Sequence, residues 1–146
     1  MPTSDPPKTV ASMLVVDDEP AVAELVRVVL ERRGWQVVVS LERRHACDLL
    51  RADPDKFALV LSDIVMPFMS AHEFLAVARA ANPTLRVVMM SGHPRECFID
   101  IPFTPALQFL QKPFTPRQLL AVLENVVGHP DIGDVGNQLR LSATLP

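Results

Sequence analysis

Five short apolar runs, most of them cut off by a polar residue, alternate along this chain with helix-spaced stretches. Met13 to Val16 stops at Asp17-Asp18, and Pro20 then stands where a helix can begin, since a first turn leaves that N–H unused. Val22, Leu25, Val26, Val29 and Leu30 follow at helical spacing, and Gly34 closes the segment. Trp35 to Val39 reads as a second strand. Ala46, Leu49 and Leu50 mark one face of a second helix, which Asp53-Pro54 ends. Phe57 to Leu61 is a third strand, followed by a loop around Pro67. A third helix carries Phe74, Leu75, Ala78 and Ala81 as far as Asn82-Pro83. Leu85 to Met90 and Ala106 to Leu110 supply the fourth and fifth strands. A last helix starts near Pro116, with Leu119, Leu120, Leu123, Val126 and Val127 along one face. Pro94, Pro102 and Pro105 leave room for about two turns between the last two strands, so the fourth of five helices is expected to be short or irregular.

Near-continuous apolar strands alternating with amphipathic helices imply an α/β chain whose parallel sheet is covered on both faces. Periodicity places one domain at residues 12–127. Residues 1–11, polar and proline-rich, are expected to be a disordered extension without the apolar segment of a signal peptide, and 128–146 a flexible tail. With 49% hydrophobic and 21% charged residues in 146, bulk disorder is excluded. A net charge of −3 lacks the basic stripe expected of a nucleic-acid binder. No apolar run approaches the roughly 18 residues of a membrane span. The expectation is a cytoplasmic domain with neither nucleic acid nor membrane as a direct partner. Cys47 and Cys97 have no metal-ligand spacing and read as reduced thiols. His45, His72, His93 and His129 are scattered, and none is read as a ligand or phosphocarrier.

The chemistry lies at the strand ends. In an open parallel sheet, ligands bind outside the carboxyl ends of the strands, and right-handed crossovers bring those ends to one edge. Asp17 and Asp18 follow the first strand, Asp63 the third, Ser91 the fourth and Lys112-Pro113 the fifth. Three converging carboxylates repel one another unless a cation sits among them. Oxygen ligands without His or Cys suit Mg²⁺. Lys112 and the Ser91 hydroxyl then face the oxygens of a phosphoryl group. Taken singly, each element has a plainer reading. Asp17-Asp18-Glu19-Pro20 alone is a helix cap, and Asp63 before Met66-Pro67 alone is turn chemistry. Phe109 alone is as well explained as a core aromatic.

Four blocks in order, Val15-Val16-Asp17-Asp18-Glu19-Pro20, Leu61-Ser62-Asp63-Ile64-Val65-Met66-Pro67, Met90-Ser91-Gly92 and Leu110-Gln111-Lys112-Pro113-Phe114, resemble the signature blocks of response-regulator receiver domains. The resemblance covers roughly residues 12–127. It implies a flavodoxin-like doubly wound five-stranded sheet of order 2-1-3-4-5. It also implies that Asp63 accepts a phosphoryl group from a phosphohistidine. Asp18, Asp63 and the backbone carbonyl of Val65 would hold Mg²⁺, with Asp17 acting through a water. Lys112 would neutralise phosphoryl charge, Ser91 and Phe109 would be the switch pair, and Lys112-Pro113 would be joined by a cis peptide. The implied donor is a histidine kinase or a histidine phosphotransfer domain, with a homodimer as a further contact. Self-phosphorylation and autodephosphorylation would make the chain a signalling protein rather than a metabolic enzyme.

Where the family usually has Gly, this chain has Phe68 and Ala71. The apolar cluster of Phe98, Ile99, Ile101 and Phe103 is either a partner patch or packing under a loop. No helix-turn-helix pattern follows the domain, so output is expected through protein contacts. Leu110 to Pro116 resembles the C-terminal receivers of hybrid histidine kinases, which leaves a stand-alone receiver and one cut from a larger protein both open. Two other classes remain as rivals. A pseudo-receiver would bind partners without turning over phosphate, although Asp18, Asp63, Ser91 and Lys112 are all in place. A flavin protein or dehalogenase-type phosphatase would want a different loop after the first strand: Asp17-Asp18 repels a flavin phosphate, and Glu19 stands where the phosphatase has a second Asp.

Overall fold

The computed structural model describes residues 12–127; the sequence expectations for 1–11 and 128–146 lie outside them. Five strands, β1 (Ser12–Val16), β2 (Gln36–Ser40), β3 (Phe57–Asp63), β4 (Arg86–Ser91) and β5 (Leu107–Gln111), form one sheet of order β2-β1-β3-β4-β5. All four pairings are parallel. Four α-helices make the crossovers and the close of the domain: α1 (Pro20–Glu31), α2 (Arg43–Ala52), α3 (Ala71–Ala81) and α4 (Pro116–Val127).

The strands alternate between two cores. Met13, Val15, Leu59, Leu61, Val88, Met90 and Leu110 face α1 and α4, where Leu30, Trp35, Leu119 and Leu123 meet them. Leu14, Val16, Val60, Val87, Met89 and Leu107 face α2 and α3, packing on Leu50, Phe74 and Ala78. Both faces are apolar, so the strands read in sequence as unbroken hydrophobic runs.

Local signals explain where the helices begin and end. Pro20 starts α1, and Gly34 at φ +91 turns the chain out of it, a conformation that costs glycine nothing. Ser70 caps α3: its Oγ accepts the Glu73 amide at 3.1 Å, and its hydroxyl donates to the Glu73 carboxylate at 3.2 Å. Thr115 and Gln118 form a reciprocal capping box ahead of α4: the Thr115 amide donates to Gln118 Oε1 at 2.8 Å and the Gln118 amide to Thr115 Oγ1 at 3.1 Å.

The expected fourth helix is reduced to one 3-10 turn at Arg95–Phe98. Pro94, Pro102 and Pro105 withdraw backbone donors across that crossover, so no α-helix propagates there. Of its apolar residues, Ile101 is buried and Phe98 and Phe103 pack on the α2/α3 core, while Ile99 stands 90% exposed. The segment therefore mainly covers the sheet. Among the described residues, no helix is long and apolar enough to cross a membrane.

Candidate functional site

The sheet register assembles the site. Val16 pairs with Ser62, so Asp17 and Asp63, one residue further along each strand, emerge side by side at the carboxyl edge. Asp18 follows at the mouth of α1. Ligand oxygens of Asp17, Asp18 and Asp63 all lie within 4.8 Å of one another; Asp17 and Asp63 are buried and Asp18 is exposed. Lys112 reaches this triad from the end of β5, with Nζ 2.8 Å from Asp17 Oδ2 and 3.5 Å from Asp63 Oδ2. Its own backbone N–H donates to the Ser91 carbonyl at 2.7 Å, which ties β5 to β4 beside the site. The Lys112-Pro113 bond is cis.

Charge is unevenly distributed in this cluster. Asp17 is fully buried, and both its oxygens are engaged: Oδ1 accepts the Glu19 amide at 2.9 Å and Oδ2 accepts Lys112. Burial pushes the Asp63 carboxyl above the usual carboxylate range. Lys112 opposes the rise, and the neighbouring Asp17 and Asp18 add to it. For Lys112, burial alone would lower the ammonium, but the bond to Asp17 and the charges of Asp17, Asp63 and Glu19 outweigh it, so the net shift is upward. One lysine thus serves carboxylates with room for more positive charge. An all-oxygen donor set without His or Cys suits a hard divalent cation.

The remaining residues singled out in the sequence fall around this centre. Ser91 ends β4, buried, and its Oγ accepts the His93 amide at 3.0 Å. Val65 lies in the β3–α3 loop with its side chain 57% exposed. Phe109 sits on β5, half-buried, with Phe103 edge-on at 5.7 Å and Phe98 tilted at 6.3 Å between ring centroids. Phe68, one of the positions where Gly is usual in the resembled family, adopts φ +74 with its ring 89% exposed.

One participant was not singled out in the sequence. Arg43, at the start of α2, is buried, and its guanidinium donates to the carbonyls of Asp63, Ile64 and Met69. The signal was available in the spacing: Arg43, Ala46, Cys47 and Leu50 fall at i, i+3, i+4 and i+7, and they form the buried stripe of α2. A basic pair, Arg43-Arg44, reads instead as a solvated helix end.

Known proteins resemble this chain in sequence and fold. Over 122 residues the chain is 28% identical to the sensor kinase CckA of Brucella abortus, matching 83% of this chain and 13% of that protein. It is 34% identical over 132 residues to the response regulator Rre1 of Synechocystis sp., matching 87% of this chain and 56% of that protein. The chain therefore spans less than two thirds of either relative. The structure of the chemotaxis response regulator CheY4 of Vibrio cholerae matches with a TM-score of 0.70 at 29% identity, covering 81% of this chain and 99% of that one. Residues 13–124 match the response regulator receiver domain, and the chain belongs to that family.

Proposed function

We propose that this receiver accepts a phosphoryl group on Asp63 from a phosphohistidine of a histidine kinase or histidine phosphotransfer domain, and that the modification alters its protein contacts. The observation that carries this reading is Lys112 Nζ held 2.8 Å from Asp17 and 3.5 Å from Asp63 at the edge of three carboxylates. In the transfer, an Asp63 carboxylate oxygen forms the new bond to phosphorus. The P–N bond to the donor imidazole breaks, and its electron pair returns to the ring nitrogen. Lys112 meets the negative charge spread over the phosphoryl oxygens, so the contribution of this chain is positioning and electrostatics rather than proton transfer. Asp17 keeps Lys112 at that edge. Mg²⁺, held by Asp18, Asp63 and the carbonyl of Val65 with Asp17 through a water, would supply the further positive charge the cluster can take.

Ser91 and Phe109 carry the switch in this reading. Donation of the Ser91 hydroxyl to a phosphoryl oxygen, beside the His93 amide that its Oγ accepts, would bias the packing of Phe109 against Phe98 and Phe103, a shift between two preexisting arrangements. The test is incubation with acetyl phosphate and Mg²⁺, read by intact mass. One phosphoryl group should be gained, and the gain should vanish in Asp63→Asn and in chelator. If no gain occurs and beryllofluoride also fails to bind in an Mg²⁺-dependent way, the chain acts as an interaction module instead.

A further inference from the structure

The loop between β3 and α3, residues 64–70, packs on the α2/α3 core through Ile64, Met66 and Met69 only. Val65 and Phe68 are largely exposed, and a cavity of about 330 Å³ opens between the loop residues Met66, Pro67 and Phe68 and the Leu41 to Arg44 turn. Phe68 is held in the left-handed region at φ +74, where a bulky side chain is strained. Such a conformation persists only where the surroundings over-determine it. Arg43 supplies that determination. It is only 2% exposed, and it binds the loop at both ends: the carbonyls of Asp63 and Ile64 on one side of Phe68, and that of Met69 at 2.5 Å on the other. Its guanidinium also lies 5.9 Å from the Phe74 ring centroid, which orients the fork from below. A planar guanidinium reaches three carbonyls at fixed angles, a task no lysine can repeat.

We propose that Arg43 is a positioning residue for cation binding and phosphoryl transfer at Asp63, acting by fixing the loop backbone that carries Val65 between its two anchors. The proposal rests on the phospho-accepting reading of the site and adds a residue that touches neither phosphoryl group nor metal. The mechanism has a sign that separates it from charge alone. Asp63 and Asp18 both feel the charge of Arg43, so by electrostatics its removal would tighten the binding of a cation at the triad. By loop positioning, its removal loosens the site and weakens that binding.

The experiment is a calorimetric Mg²⁺ titration of the full chain, with Arg43→Met, Arg43→Lys and Leu50→Ala as variants. Each variant is first checked for far-UV circular dichroism and a cooperative melt. Leu50 is fully buried on the same helix and serves as the control for general loosening. Arg43→Met and Arg43→Lys should both bind Mg²⁺ about tenfold more weakly, the loss typical when the support of a metal ligand is removed. Leu50→Ala should melt earlier but bind like wild type. Unchanged or tighter binding in the folded Arg43 variants overturns the proposal, and so does equal weakening in Leu50→Ala. If Arg43→Met does not fold, Arg43→Lys decides alone. Acetyl phosphate labelling of the wild type separates the two levels. A wild type that binds Mg²⁺ but takes no phosphoryl group sinks the function while leaving the loop role to the titration. A wild type that binds no Mg²⁺ removes both.

Discussion

Asp17 has no water to turn to if Lys112 is lost. Its carboxylate is fully buried, and one oxygen depends on that ammonium. Lys112→Met should therefore destabilise the metal-free protein by about 3 kcal/mol, the lower end for breaking a buried pair, because Lys112 itself keeps some exposure. Added Mg²⁺ should raise the urea midpoint of Lys112→Met more than that of wild type; equal gains would show that lysine and cation do not share a site. Asp63 gives a pH dependence of opposite sense to a salt-bridged acid. Its folded pKa is raised, chiefly by burial, so the unfolded chain releases that proton first. Ionised Asp63 thus opposes folding above the carboxylate range, and the penalty disappears at lower pH. In chelator, Asp63→Asn should be more stable than wild type at pH 7, with the gap closing as pH falls to about 4; urea midpoints across pH check it. These acids were legible in the sequence because each stands within two residues of the end of an apolar run. For Arg43 the spacing gave its burial but not its partners, because those are carbonyls, and backbone acceptors have no sequence signature.

At the scale of elements, helices were legible from spacing and caps, while strand ends ran one or two residues beyond their apolar runs. Asp63, Ser91 and Gln111 each extend a ladder, and pairing with a neighbouring strand decides that, not hydropathy. The order of the strands came from resemblance, since alternation alone allows several. The crossover before β5 shows what proline can and cannot announce. Three prolines foretold a short or irregular helix; they did not foretell that it would shrink to a 3-10 turn, with Phe98 and Phe103 closing over Phe109. Phe109→Ala should cost about 2 kcal/mol, the loss of a half-buried aromatic side chain and its ring contacts. Phe103→Ala should cost less in stability and should loosen the ring of Phe109, visible as averaging of its aromatic NMR signals. Unchanged signals would mean that the sheet alone orients it.

For the whole molecule, two cores back one sheet, and the site lies at the edge both share. Leu30 belongs to the α1/α4 core and Phe74 to the α2/α3 core, each fully buried. Leu30→Ala and Phe74→Ala should each destabilise by about 3 to 4 kcal/mol, and the double variant by their sum within about 0.5 kcal/mol, since they share no partners. A shortfall in urea unfolding would mean that the two faces communicate through the strands. Trp35 gives this architecture an optical asymmetry. It is the single tryptophan, there is no tyrosine, and it lies in the α1/α4 core. Ultraviolet emission from this protein is therefore a one-sided reporter: it watches the back of the sheet, while the Arg43 loop is dark to it. A disturbance confined to α2 and the acceptor loop should leave the emission maximum where it was. A red shift on loading Asp63 would show that the signal has crossed the sheet.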